Sequence, residues 1–201
     1  MQQRSDEWFV ARAGKFTGSQ FFKLVGKTLT ATAKTYILEK IVEELYGIKE
    51  SIANEAMTWG TDHENSALEY YSLVTGNVVE AVGFVSYSDF IGGSPDGLIN
   101  SDGLIEIKCP FNPVNHLRYG LCKTSKDLKK LSKANYWQCV GNMLVTGRKW
   151  IDFCSFDPRL SGEKAMFILR IEKDEKEEAE LLQAIERAKL HKLEIIKELG
   201  L

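Results

Sequence analysis

The chain has 201 residues, of which 44% are hydrophobic and 27% charged, the composition of a folded protein with a sizeable core. Lys and Arg number 26 against 28 Asp and Glu, a formal net charge of -2. That balance excludes a wholly basic, histone-like nucleic-acid binder, so any contact with a polyanion must come from a local cluster of cations or from a metal. No apolar run is long enough to cross a bilayer. The first residues, Met1 to Glu7, lack the apolar core of a secretory signal, and a cytoplasmic protein is expected. Cys109, Cys122, Cys139 and Cys154 are widely and unevenly spaced without a Cys-x-x-Cys pair, which predicts free thiols. His63, His116 and His191 form no metal-ligand pattern.

In chain order, Asp6 to Ala13 reads as a short turn-like segment in a helical region, with Trp8, Phe9 and Val10. Thr17-Gly18-Ser19 offers capping residues ahead of Phe21, Phe22, Leu24 and Val25. Thr32 is read as the cap of a helix reaching Tyr46, with Gly47 as its stop. A further helix is predicted from about Thr61 to Thr75, ending at Gly76. Val78 to Tyr87 then has strand composition, followed by short strands over Asp96–Ile99 and Leu104–Cys109 with Asn100-Ser101-Asp102-Gly103 as the turn.

A basic loop or short helix carries Lys123, Lys126, Lys129, Lys130 and Lys133. It precedes a helix over about Ala134–Val145, strands over Arg148–Phe156 and Ala165–Ile171, and a long amphipathic helix from Asp174 to Leu199. The apolar stripe of that last helix is Leu181, Ile185, Ala188 and Ile196, and its charges are read as a solvated face. This order predicts one α/β domain over 1–201, a central mixed sheet flanked by helices.

The chemistry concentrates between Gly92 and Pro110. Side chains alternate along a strand, so Glu106 and Lys108 share one face while Ile105, Ile107 and Cys109 share the other. A turn over Ile99 to Gly103 sets Asp96 opposite Glu106 in an antiparallel pair, with side chains ~5 Å apart. Two carboxylates that close repel unless a proton or cation sits between them. A hard divalent ion such as Mg²⁺ meets that need and keeps positions open for water and phosphate. The plainer alternative is a hairpin with a surface salt bridge between Glu106 and Lys108.

Pro95-Asp96 followed by Glu106-Ile107-Lys108 resembles the PD-(D/E)xK nuclease signature. The longer strings Ser94-Pro95-Asp96-Gly97-Leu98 and Glu106-Ile107-Lys108-Cys109-Pro110-Phe111 are similar to the lambda-exonuclease, YqaJ-like alkaline exonuclease family. So are Trp8…Arg12…Thr17-Gly18-Ser19, Trp59-Gly60-Thr61-Asp62-His63-Glu64-Asn65, Tyr136-Trp137-Gln138 with Val145-Thr146, and Phe156-Asp157-Pro158-Arg159. The matches keep their order from Trp8 to Glu172.

The resemblance implies a restriction-endonuclease-like core and a Mg²⁺-dependent 5′→3′ exonuclease acting on linear double-stranded DNA from a 5′-phosphorylated end. It implies Asp96, Glu106 and the backbone carbonyl of Ile107 as metal ligands, with Glu64 as an additional one, and Mn²⁺ as a substitute ion. Lys108 is then assigned to positioning or deprotonating the attacking water, or to steadying the phosphate. Arg12, Ser19, Ser94 and Gln138 align with the family's pocket for the terminal 5′-phosphate, and Met57 with an apolar wedge at the DNA end. The resemblance further implies a ring-shaped homotrimer, a single-strand-annealing recombinase as partner, and a phage or prophage gene.

Each of these residues also has a plainer reading. Glu64 suits the first turn of a helix, Arg12 and Gln138 suit solvent-facing helix positions, and the lysines from Lys123 to Lys133 suit either a DNA path or a solvated loop. Pro113-Val114-Asn115 stands where relatives carry a further basic residue. Tyr136, Trp137, Trp8, Trp59 and Trp150 are read as packing residues. An endonuclease or iron–sulfur nuclease of the same superfamily, and a non-catalytic DNA-end-binding recombination protein, remain as alternatives.

Overall fold

The computed structural model describes residues 2–47 and 54–201. A five-stranded mixed sheet forms its centre, in the order β2 (Val79–Glu80), β5 (Gly97–Ile99), β6 (Gly103–Lys108), β7 (Trp150–Phe156), β8 (Met166–Glu172). Only β6 and β7 run parallel; the other pairs are antiparallel. A second, three-stranded sheet orders β1 (Phe16–Thr17), β4 (Ile91–Gly93) and β3 (Val85–Ser86). The helices are α1 (Asp6–Arg12), α2 (Ala31–Tyr46), α3 (Glu55–Thr75), α4 (Pro113–Gly120), α5 (Ser125–Leu131), α6 (Lys133–Thr146) and α7 (Glu175–Leu199). This is a restriction-endonuclease-like core with a long C-terminal helix.

Each face of the central sheet has its own core. Leu104, Ile151 and Phe153 pack with Trp137, Val140 and Leu144 of α6 and with buried residues of α2 and α7. Ile105, Ile107 and Cys109 face the other way, onto Ala67 and Tyr71 of α3. The period-two reading of β6 therefore holds residue by residue. Gly141 lets α6 lie against the 3-10 helix Gly18–Lys23, since a Cβ there would strike the Phe21 ring. That contact brings the Thr17–Ser19 segment to the open end of the sheet.

The structure revises several expectations. Val78–Tyr87 is not one strand: β2 joins the central sheet and β3 the small one, with the chain turning between them. The small sheet itself and α4 have no counterpart in the sequence reading. Helix α3 begins six residues before Thr61, at Glu55, where the Asn54 side chain accepts from the Met57 N–H. Gly60 is absorbed into it, because one helical glycine costs only about 1 kcal/mol against alanine. Thr30, not Thr32, caps α2, and Thr17 makes no side-chain cap. Trp150 is only partly buried, with the Arg170 guanidinium 3.7 Å from its ring.

The charged face of α7 is not wholly solvated. Lys192 is 1% exposed, donating to the Gly14 carbonyl at 2.8 Å and to Glu44 Oε1 at 2.6 Å. The ammonium lies 5.5 Å from the Phe90 ring centroid and joins α7 to α2 through Glu44. Lys192→Ala removes a buried stem and orphans the Gly14 carbonyl. We expect a loss of about 2–4 kcal/mol in urea unfolding, against under ~1 kcal/mol for the exposed Lys197→Ala.

Candidate active site

A cavity of about 720 Å³ opens at the end of the sheet where β5 and β6 carry their acids. The β5–β6 ladder pairs Gly97 with Ile105 and Ile99 with Gly103. The Asp96 N–H donates to the Ile105 carbonyl at 3.2 Å, so the same register continues and sets Asp96 beside Glu106. The turn that fixes this register includes Asn100 at φ 47°, a left-handed position asparagine tolerates better than most residues. Asp96, Glu106 and Lys108 line the cavity together with Glu64, Arg12, Ser19, Ser94, Gln138 and Met57. The fold thus gathers every side chain singled out from the sequence as a site residue.

Each carboxylate has a protein partner. Asp96 Oδ2 accepts from the Ile107 N–H at 2.6 Å. Glu106 is fully buried, and accepts from Lys108 Nζ at 2.5 Å and from Asn142 Nδ2 at 2.9 Å. Glu64 lies on the inward stripe of α3 with Ala67 and Tyr71, and Glu64 Oε2 accepts from Arg4 Nη2 at 3.1 Å. The Glu106–Lys108 ion pair exists, but its carboxylate is buried, unlike the surface bridge of the plainer reading.

Burial, then the neighbouring Glu106 charge, raises Asp96 well above the usual carboxylate range, with Glu64 adding to the push. Glu106 is raised as well, by burial first. Burial also pulls Lys108 down, but Glu106 and Asp96 overcome it and hold the ammonium protonated above its ordinary range. In this arrangement Lys108 Nζ donates to both Glu106 Oε1 and Gln138 Oε1.

Among the described residues no three His, Cys, Asp or Glu side chains already form a ligand cluster. The donor chemistry nonetheless suits a hard cation, since Asp96, Glu106 and Glu64 offer carboxylate oxygens to one cavity and their mutual repulsion lacks full compensation. These three residues and the Ile107 carbonyl are the candidate ligands.

The candidate anion side is built around Trp8. Its indole N–H donates to Ser94 Oγ at 2.9 Å, and the Arg12 guanidinium stacks 4.0 Å from its ring. Trp8 is buried as predicted, yet it also fixes two of the polar groups. Gln138 Oε1 accepts from Lys108 Nζ at 3.2 Å, which turns its amide donors away from that contact.

Sequence reasoning missed Asn142, whose amide holds Glu106 and whose Oδ1 is buried without a partner. It is wedged against Gly18 and Gly93, where a Cβ would crowd it. An asparagine in an apolar helix facing a buried acidic strand position is the signal that could have marked it. Thr17 Oγ1, also on the cavity wall, is another buried oxygen without a partner.

The lysines from Lys123 to Lys133 do not line the cavity; Lys129 instead pairs with Glu177 at 2.6 Å. The four cysteines are free, and burial pushes the Cys109 thiol up to about 12, so it is a poor ligand or nucleophile at neutral pH. No helix among the described residues is long and apolar enough to cross a membrane.

A mixed sheet with paired acids and a lysine at its open end is the arrangement of a PD-(D/E)xK-type nuclease fold. Comparison with solved structures gives the same class. The alkaline exonuclease LHK-Exo from Laribacter hongkongensis aligns at 34% identity and TM-score 0.84, over 98% of this chain and 96% of that one. LHK-Exo in complex with dAMP aligns at 35% identity and TM-score 0.83, over 97% and 96%. A phage-related exonuclease from Haemophilus somnus 129PT shares the fold at TM-score 0.75 and 19% identity, over 92% and 96%. No curated protein matches. The family model of the YqaJ-like viral recombinase domain matches residues 7–149, and the chain belongs to that family.

The acid repulsion has a measurable sign. A carboxyl group whose pKa is higher folded than unfolded costs stability once pH rises above the carboxylate range. At pH 7 and without metal, Asp96→Asn should therefore melt above the wild type, and the gap should close as pH falls into that range. Adding Mg²⁺ should raise the melting temperature of the wild type and not of Asp96→Asn; differential scanning calorimetry reads both.

Proposed function

We propose that this protein is a Mg²⁺-dependent exonuclease, a single nuclease domain that digests one strand of linear double-stranded DNA in the 5′→3′ direction from a 5′-phosphorylated end. The observation that carries the reading is the meeting, in one cavity, of the Asp96–Glu106–Lys108 set with the Arg12–Ser19–Ser94–Gln138 set. Its support from relatives is LHK-Exo, an alkaline exonuclease aligned along nearly the whole chain.

Arg12 offers a planar fork that matches a terminal phosphate, held flat by Trp8. Ser94 accepts from Trp8 and keeps its own O–H free to donate, and Ser19 is exposed to the cavity. Gln138 keeps its amide N–H donors for the phosphate while its oxygen holds Lys108. The pocket thus uses two hydroxyls, one amide and one guanidinium to read a charged end group.

Asp96, Glu106, the Ile107 carbonyl and Glu64 would hold the divalent ion, which when bound would lower the pKa of a water and offset charge on the scissile phosphate. Mn²⁺ fits the same oxygen donors. Lys108, fixed between Glu106 and Gln138, places its ammonium toward the phosphate and orients the water. Asn142 keeps Glu106 in its rotamer. Met57, exposed on the cavity wall, is the candidate wedge for the terminal base pair. Digestion leaves 3′ single-stranded overhangs for a single-strand-annealing recombinase, in the cytoplasm of a bacterial host carrying a phage or prophage, with a homotrimeric ring around the duplex.

Linear duplex with 5′-phosphate or 5′-hydroxyl ends, incubated with Mg²⁺ or EDTA, tests the reading. Mg²⁺-dependent release of nucleotides from the phosphorylated strand is expected, and its absence refutes the proposal. Arg12→Ala should lose the preference for phosphate, at a cost of about 2–3 kcal/mol in kcat/KM on phosphorylated ends. Asp96→Ala should abolish digestion while end binding persists. Cleavage of closed circles would favour an endonuclease. Sedimentation should return the mass of three chains; a monomer at working concentrations would remove the ring.

A further inference from the structure

Arg4 holds a backbone angle that an arginine adopts only at a cost. Its φ is 67°, in the left-handed region where a Cβ crowds the chain and glycine does not. The turn is tied down by Gln3, whose amide donates to the Val82 carbonyl at 3.1 Å and to the Pro95 carbonyl at 2.9 Å. Pro95 directly precedes Asp96, so this N-terminal turn is fastened to the strand that brings the first acid. The result is a guanidinium directed at Glu64.

The Arg4–Glu64 pair differs from the other acid contacts in the cavity. Asp96 is held by a backbone N–H, and Glu106 by Lys108 and Asn142 within the buried wall. Arg4 is half exposed, at 52% of its side chain, and Glu64 at 26%. An ion pair so open to water is weakly held and readily exchanged. Arg4, Glu64 and Asp96 also border a second cavity of about 330 Å³, so the pair stands where two cavities meet and has room to separate. Three cations line the main cavity among the described residues. Arg12 is stacked on Trp8 and Lys108 is locked to Glu106, which leaves Arg4 as the one whose partner can change.

We propose that Arg4 is a DNA-phosphate-binding residue that Glu64 keeps in place until the cation arrives, when the two exchange partners. Glu64 turns to the divalent ion, and the freed guanidinium takes a phosphate of the bound strand as a two-pronged donor. Arg4 thus compensates Glu64 before metal binds and compensates substrate afterwards. The inference rests on the nuclease reading above and adds a residue and a coupling to it.

Two measurements on Arg4→Gln test it. The first is Mn²⁺ binding by calorimetry without DNA. Removing the competitor should tighten Mn²⁺ several-fold, a gain that damage to the fold would not produce, and the gain should vanish in the Glu64→Gln background. The second is binding of 5′-phosphorylated duplex with Ca²⁺ as the cation, across a salt series. Arg4→Gln should weaken it by about tenfold and lower the salt slope by about one, and Arg4→Lys should restore the slope. Arg4→Gly should melt no lower than the wild type, because the left-handed turn suits glycine, while losing duplex affinity as Arg4→Gln does.

Unchanged or weaker Mn²⁺ binding by Arg4→Gln overturns the exchange, and an unchanged salt slope overturns the phosphate contact. If the wild type binds Mn²⁺ and digests DNA in those cases, only this inference falls. If the wild type does neither, the nuclease reading falls and takes this one with it.

Discussion

Two carboxylates set side by side across a β-ladder repel, and much of this molecule is arranged around that repulsion. The Gly97–Ile105 register makes the juxtaposition unavoidable once the turn at Asn100 has closed. Lys108 and Asn142 answer the charge on Glu106, and the Ile107 N–H answers Asp96. What remains is local repulsion between Asp96 and Glu106, although acids and cations balance over the cavity lining as a whole. An interior of this kind holds such a repulsion only if a cation can relieve it or if the rest of the core is stable enough to bear it. The two apolar layers packed against the central sheet supply that stability, and the second core cluster lies immediately behind the acids.

The part of the site that was legible in the sequence is the part governed by short-range rules. Period two along Leu104–Cys109 separates acids from core, the Asn100–Gly103 turn sets the register, and Gly47 and Gly76 end the helices that precede them. The residues Arg12 and Ser19, Ser94, and Gln138 come from three distant stretches, and nothing in local spacing joins them. Only the family resemblance named them before the fold brought them to one cavity.

What stayed hidden depends on long-range packing. Trp8 reads as an ordinary core aromatic, because its indole N–H finds Ser94 across 86 residues of chain. Lys192 reads as solvated, because its partners on α2 and at Gly14 are visible only after α7 has docked. Strands of two residues, such as β1 and β3, carry too little pattern to announce themselves, and the small sheet exists through pairing with Ile91–Gly93. Arg4 sits in a stretch with no periodicity at all, and its geometry is imposed by Gln3.

The indole of Trp8 has a consequence for how such a protein diverges. Asp96, Glu106 and Lys108 ride on one hairpin, whereas Arg12 and Ser19 ride on a separate N-terminal piece, and the Trp8 bond to Ser94 is one of the links between them, beside the Gln3 bond to Pro95. On the proposed reading, a descendant that lost this bond would drift in which DNA ends it accepts while Asp96, Glu106 and Lys108 stayed in place. End selection and hydrolysis would then be separately evolvable.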